Sequence, residues 1–139
     1  MAQLEMKRIK LGGLFSKKVK VIFEIKYEYS DPTGDIKSIN MYDETGRKLG
    51  RLEFLSNGKR AVLRSFSMID WSVPEYQRQL LKRFISLVKK EGVSLIEAEL
   101  YDVDSRTPEK LQLFRNVGFD IRGGGSHTGY AHYYLTMKL

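Results

Sequence analysis

The sequence predicts one α/β domain of the α+β kind: a mixed, mostly antiparallel sheet of about seven strands with two main helices, in the order β-β-β-β-α-β-α-β-β. Two periodicities and a bulk property predict it. Between residues 19 and 69, apolar and polar residues alternate in runs separated by short turn signals. From residue 76 onward, apolar residues recur at helical spacing instead. The chain has 139 residues, 42% hydrophobic and 29% charged, which suits a single packed core.

In the first run, Val19, Val21, Phe23, Ile25, Tyr27 and Tyr29 alternate with Lys20, Glu24, Lys26 and Glu28, as a strand with one wet face does. Asp31-Pro32-Thr33-Gly34 is a turn signal, and a second strand covers 36–42. Asp43-Glu44-Thr45-Gly46 turns the chain into a third strand over 48–55. Ser56-Asn57-Gly58-Lys59 turns it into a fourth over 60–69, since Asn-Gly tolerates positive φ. Short turns between consecutive strands imply an antiparallel meander. Tyr76, Leu80, Leu81, Phe84, Ile85 and Val88 then mark a helix that stops at Gly92. A fifth strand follows over 93–101. Thr107-Pro108-Glu109 opens a shorter helix, with Thr107 as its cap, ending at Gly118. Strands over 119–122 and 130–138 flank a glycine-rich loop at 123–129.

The net charge of +7 favours acidic partners, nucleic acid or acidic protein among them. Lys7, Arg8, Lys10, Lys17, Lys18 and Lys20 concentrate that charge early, so residues 1–18 read as a basic N-terminal arm and 19–139 as the domain. No apolar run is long enough to span a membrane, the N-terminus lacks a signal-like apolar core, and no cysteine is present. The expectation is a cytoplasmic protein with no membrane partner. His127 and His132 are the only histidines and lack metal-ligand spacing, so no metal is expected.

Three stretches carry a family resemblance: Val73-Pro74-Glu75-Tyr76 leading into Leu80-Leu81, Leu113-Phe114-Arg115-Asn116-Val117-Gly118-Phe119, and the closing Tyr133-Tyr134-Leu135-Thr136-Met137-Lys138-Leu139. With the element order, they make residues 60–139 resemble the GNAT superfamily of acyl-CoA N-acyltransferases. The resemblance implies transfer of an acyl group from acetyl-CoA or another acyl-CoA to an amine. It places pantetheine between the fourth and fifth strands, paired to backbone near Phe66, Ser67 and Met68, with Arg78 meeting phosphate.

The chain departs from that family at three places. The pyrophosphate loop before the first helix should be glycine-rich, so that backbone N–H groups at the helix start can reach phosphate. Here Asp70-Trp71-Ser72-Val73-Pro74-Glu75 has no glycine, Pro74 has no N–H, and Ser72 with Glu75 reads as a capping box that brings negative charge to the anion site. The tyrosine taken as general acid in the family is Phe114 here. The two helices usual between the first two strands are replaced by one turn. One sheet face is then left without helical cover, and the strand charges Glu24, Lys26, Arg51, Glu53, Arg64, Glu97 and Glu99 fall on it. A homodimer through Val21, Phe23 and Tyr27 is a further expectation if those residues face outward.

As general bases for the amine, Glu97, Glu99 and Asp70 are the candidates, against a plain reading as a solvated face and a turn residue. Trp71 and His127 are candidates for contact with the acceptor or a partner, against core packing and a bare hairpin loop. Two functions stay open: an acyltransferase, and a GNAT-like binding module without catalysis.

Overall fold

The computed structural model describes residues 2–12, 17–101, 106–124 and 132–139. Its elements are β1 (Gln3–Leu11), β2 (Lys17–Asp31), β3 (Gly34–Asp43), β4 (Lys48–Asn57), β5 (Arg60–Met68), α1 (Pro74–Lys90), β6 (Leu95–Tyr101), α2 (Thr107–Val117), β7 (Asp120–Gly124) and β8 (His132–Lys138). The strands form one sheet in the order β1-β2-β3-β4-β5-β6-β8-β7. Every pairing is antiparallel except β5 with β6. That pair is parallel because α1 lies between its strands in sequence, and a helical crossover returns the chain in the same direction.

The strand count exceeds the expected seven by one, and the addition is β1. Residues read as part of a basic arm instead pair along their whole length with β2, from Gln3 opposite Ile25 to Leu11 opposite Lys17. Ile9 is buried, and the Arg83 guanidinium of α1 donates to both Glu5 carboxylate oxygens at 2.6 and 2.7 Å. The expected boundary at residue 18 falls inside β2. A density of lysine and arginine concealed an alternation in which one of the two faces carries Ile9 and Leu11.

One face of the sheet holds the core. Phe23, Met41, Leu52, Phe54, Ile96 and Leu135 are essentially inaccessible and meet Leu80, Leu81, Phe84 and Val88 of α1. Phe54 and Phe84 lie 4.9 Å apart in a tilted contact. Val21 and Phe23 belong to this core, so they offer no outward dimer surface; only Tyr27 of that trio is exposed. The opposite face is polar. Ser38 and Asn40 are buried there beneath a network in which Ser38 donates to Glu28 and Arg51 reaches Asn40, Glu28 and Glu53. Among the described residues, no helix is long and apolar enough to cross a membrane.

Both helix starts differ from their expected caps. Val73 is the N-cap of α1 and makes no side-chain cap bond; Ser72 is not the cap. Asp70 Oδ1 accepts the Ser72 amide at 2.8 Å, so the turn before Pro74 closes one residue early. Thr107 is buried as the first residue of α2, behind Arg106.

The Glu5–Arg83 pair joins β1 to α1, and its removal is readable in stability. Arg83 hydrogen bonding holds the Glu5 carboxyl below the usual glutamate value near 4.5. A depressed carboxyl stabilises the fold above its unfolded value and loses that contribution as pH falls through the lower folded one. Arg83→Met is expected to cost about 1 kcal/mol at neutral pH, an amount reduced by partial exposure of the pair. In chemical denaturation, the gap between wild type and variant should close as pH drops below about 4.5.

Candidate active site

β5 and β6 are paired only at their beginnings, from Arg60 opposite Leu95 to Leu63 opposite Ala98. On its other side, β5 places Leu63 opposite Phe54 but Ser65 opposite Glu53, so Arg64 is an additional residue in the strand. Such a bulge bends and twists the strand that carries it. Beyond it, β5 stays with β4, Phe66 facing Leu52 and Met68 facing Gly50, while β6 follows β8 to the Tyr101–His132 pair. Gly50 permits this close run, since a Cβ there would lie 2.6 Å from the Met68 sulfur.

The two strands therefore diverge, and alternate backbone N–H and C=O groups of residues 65–68 face the gap without a strand to pair with. A slot of about 60 Å³ occupies the divergence, lined by Leu63, Phe66, Ala98, Leu100 and Phe114 with Glu99 at its side. Its apolar wall is an aromatic chain: Phe66 lies 5.8 Å from Trp71 and 6.0 Å from Phe114, which meets Phe119 edge-on at 5.1 Å.

A larger cleft of about 810 Å³ runs between the first turn of α1 and α2, lined by Trp71, Ser72, Pro74, Glu75, Arg78 and Glu109 among others. Its anion-binding capacity is reduced. Pro74 has no N–H, the Ser72 amide is taken by Asp70, and the Tyr76 amide bonds Val73 O at 3.2 Å. Glu75 accepts from Gln79 at 2.6 Å and lies 3.5 Å from Arg78, so the cation at this end already has a carboxylate beside it. Lys110 and Arg106 lie over the Trp71 ring, at 5.1 and 6.0 Å from its centroid.

The three carboxylates differ in what holds them. Arg60 clasps Glu97 through two hydrogen bonds, at 2.5 and 2.7 Å, across the paired part of β5 and β6. Asp70 is a turn residue, its carboxyl held below the usual aspartate range by the hydrogen bonds from Ser72. Glu99 stands beside the slot, half-exposed, 3.3 Å from His132 Nε2 and 3.4 Å from the Tyr101 hydroxyl. His132 is itself buried and stacked on Tyr101, with ring centroids 4.3 Å apart and parallel planes. That neighbourhood comes from the β6–β8 register, which sets Tyr101 opposite His132 and Glu99 opposite Tyr134.

No family model matches the sequence, and no curated protein matches it significantly. Solved structures do match its shape. A protein assigned to the GNAT acetyltransferase family from Desulfovibrio desulfuricans superposes with a TM-score of 0.63 at 13% identity, over 74% of this chain and 68% of that one. The aminoglycoside 6'-N-acetyltransferase of Enterococcus faecium gives 0.63 at 12% identity over 79% and 75%. The ribosomal-protein-S18-alanine N-acetyltransferase of Escherichia coli gives 0.60 at 17% identity over 73% and 67%. The chain has the GNAT fold.

On that fold, the structure brings Phe66 and Glu99 together at the slot, and Trp71 and Arg78 together at the cleft. Met68 is buried at the end of the open edge and Ser67 is exposed there. Glu97 is drawn away into its pair with Arg60, Asp70 into its turn, and His127 lies outside the described residues. Phe114, where the GNAT resemblance sets a tyrosine, is buried as part of the slot's apolar wall. Among the described residues, no cluster of three or more His, Cys, Asp or Glu is arranged to hold a metal ion. Sequence reasoning passed over His132 and Tyr101 as partners of Glu99, because cross-strand pairing is not visible in one strand.

Phe114 links slot, Trp71 end and core, so Phe114→Ala is expected to lower unfolding free energy by about 3–5 kcal/mol, measured by urea denaturation.

Proposed function

We propose that the chain is an acyl-CoA-dependent N-acyltransferase whose reacting centre is the gap between β5 and β6. The observation that carries this reading is the coincidence of three features at one place: an unpaired strand edge at residues 65–68, an apolar slot, and the Glu99 carboxylate at its side. A pantetheine arm is an extended chain with two amides, and the open edge offers it the pairing a missing strand would make. Phe66, Leu100 and Phe114 would hold its thiol end, and the cleft between α1 and α2 has room for the nucleotide. A bound acyl-CoA would supply a thioester carbonyl for attack.

The chain's own residues do the rest. Glu99 takes a proton from the attacking amine as the C–N bond forms and the C–S bond breaks, and can return that proton to the departing sulfur. The His132 ring, stacked on Tyr101, orients Glu99 from behind. Phe114 has no proton to give, so acid catalysis falls to Glu99 or water. Amine as acceptor class agrees with the neighbours named as N-acetyltransferases.

A second reading, a GNAT-fold binding module without catalysis, is favoured by one observation: at the start of α1 Pro74 has no N–H, the Ser72 and Tyr76 amides are bonded to Asp70 and Val73, and the Glu75 carboxylate stands beside them. Acetyl-CoA separates the two. At 100-fold its Kd, a native-state ligand adds about 2.7 kcal/mol, a rise of several degrees in melting temperature. The acyltransferase reading expects that rise; no shift at millimolar acetyl-CoA would leave the module.

Two substitutions sharpen the test. Glu75→Gln removes a charge next to the phosphate end and should tighten acetyl-CoA binding about fivefold, as a charge at a helix start is worth about 1 kcal/mol. Glu99→Gln should leave acetyl-CoA affinity intact and reduce kcat by about 10²-fold or more. An unchanged kcat would remove Glu99 as the base.

A further inference from the structure

The register of β1 against β2 places like charges face to face. Arg8 lies directly opposite Lys20, and Lys10 directly opposite Lys18. Residues directly opposite share a sheet face, so all four side chains project from the same side. Ile9, Leu11 and Val19 project from the other side, into or against the core. The cationic side is thus turned away from the protein. Arg8, Lys10 and Lys18 are exposed and Lys20 half-buried.

Like charges on opposed residues destabilise a strand pair, and one glutamate in each rung would relieve it. None of the four forms an ion pair among the described residues. Asp43, the acid opposite Val21 where the third strand begins to pair, is held by Thr45 and Arg47. The pairing of β2 with β3 starts only at Val21, so the segment from residue 17 to residue 20 runs with β1 alone, as a two-stranded ribbon past the end of β3. Successive rungs on one face are about 6.8 Å apart and the strands about 4.8 Å.

We infer that this ribbon face is a docking surface for the phosphate backbone of double-stranded DNA. Charge complementarity is the ground: four cations in two adjacent rungs meet the densest regular array of anions in a cell. A two-stranded ribbon also has the width the B-form major groove admits, whereas the A-form major groove is too narrow. Single-stranded nucleic acid is held by stacking on aromatic side chains, and neither cationic rung carries one. Leu4 and Met6 are exposed on the same face, but two apolar side chains give far less anchoring than one acyl chain, which alone binds membranes only marginally.

Fluorescence anisotropy of a labelled 20-base-pair DNA duplex with the full chain tests this. Four phosphate contacts predict a log–log salt slope of about −3.6, a loss of roughly 10²-fold between 50 and 200 mM NaCl. Arg8→Gln, Lys10→Gln, Lys18→Gln and Lys20→Gln together should abolish binding while melting no lower than wild type, since the opposed charges are gone. Lys10→Gln with Lys18→Gln alone should reduce the slope by about 1.8 and serves if the fourfold variant does not fold. Lys89→Gln with Lys90→Gln, on the last turn of α1, should change nothing. No binding at 50 mM NaCl, or unaltered binding by the folded variants, would overturn the inference. So would equal affinity for poly-glutamate, for single-stranded DNA, or for phosphatidylserine vesicles.

Discussion

Arg64 is one residue more than the ladder between β4 and β5 can pair. A regular strand there would continue alongside β6 and close the sheet. The added residue bends β5 toward β4 while β6 keeps to β8, and the hydrogen bonds that would join residues 65–68 to β6 are never made. Unpaired backbone groups at the middle of a sheet are costly unless something occupies them. The protein places an apolar aromatic wall along the same gap, so the opening neither fills with its own side chains nor collapses. Slot and open edge owe their positions to this divergence, and the β6–β8 register sets Glu99 beside them.

The polar side of the sheet follows from the brevity of the turn between β2 and β3. With no helix there, Ser38 and Asn40 would face water, yet both are buried by their neighbours' side chains. Glu28, Arg51 and Glu53 close over them in a hydrogen-bonded group whose members satisfy one another. Glu97 enters a comparable pair with Arg60 further along. Glu99, at the edge of the slot, has His132 rather than an arginine beside it. On the helical side β1 is fixed through Glu5 and Arg83 and through Lys7 and Gln79, while Arg8 and Lys10 lie on the uncovered face.

Much of this was legible in the sequence. The meander, both helices, the order of elements and the solvated strand face follow from period-two and helical spacing. The bulge also had a signature: the core positions of the fourth predicted strand run Ala61, Leu63 and then Phe66, Met68, a slip from odd to even that only an inserted residue reconciles. Other features were hidden for physical reasons. The alternation in β1 was obscured by lysine and arginine, whose long stems let them sit in a strand while reading as a solvated tail. Ser72 and Glu75 have the spacing of a capping box, but Asp70 takes the Ser72 amide and Glu75 turns to Gln79 and Arg78. The support of Glu99 by His132 is set by the register between β6 and β8, which no single strand encodes.

The dependence of the gap on Arg64 is open to direct measurement by amide hydrogen exchange. Deleting Arg64 restores regular alternation and keeps Leu63, Phe66 and Met68 on the core side, so the chain should still fold cooperatively. If the added residue holds the strands apart, the gap-facing amides between Ser65 and Met68 exchange rapidly in the native chain and become protected in the deletion variant. Equal exchange at those amides in the two proteins, with both folded, would contradict the account.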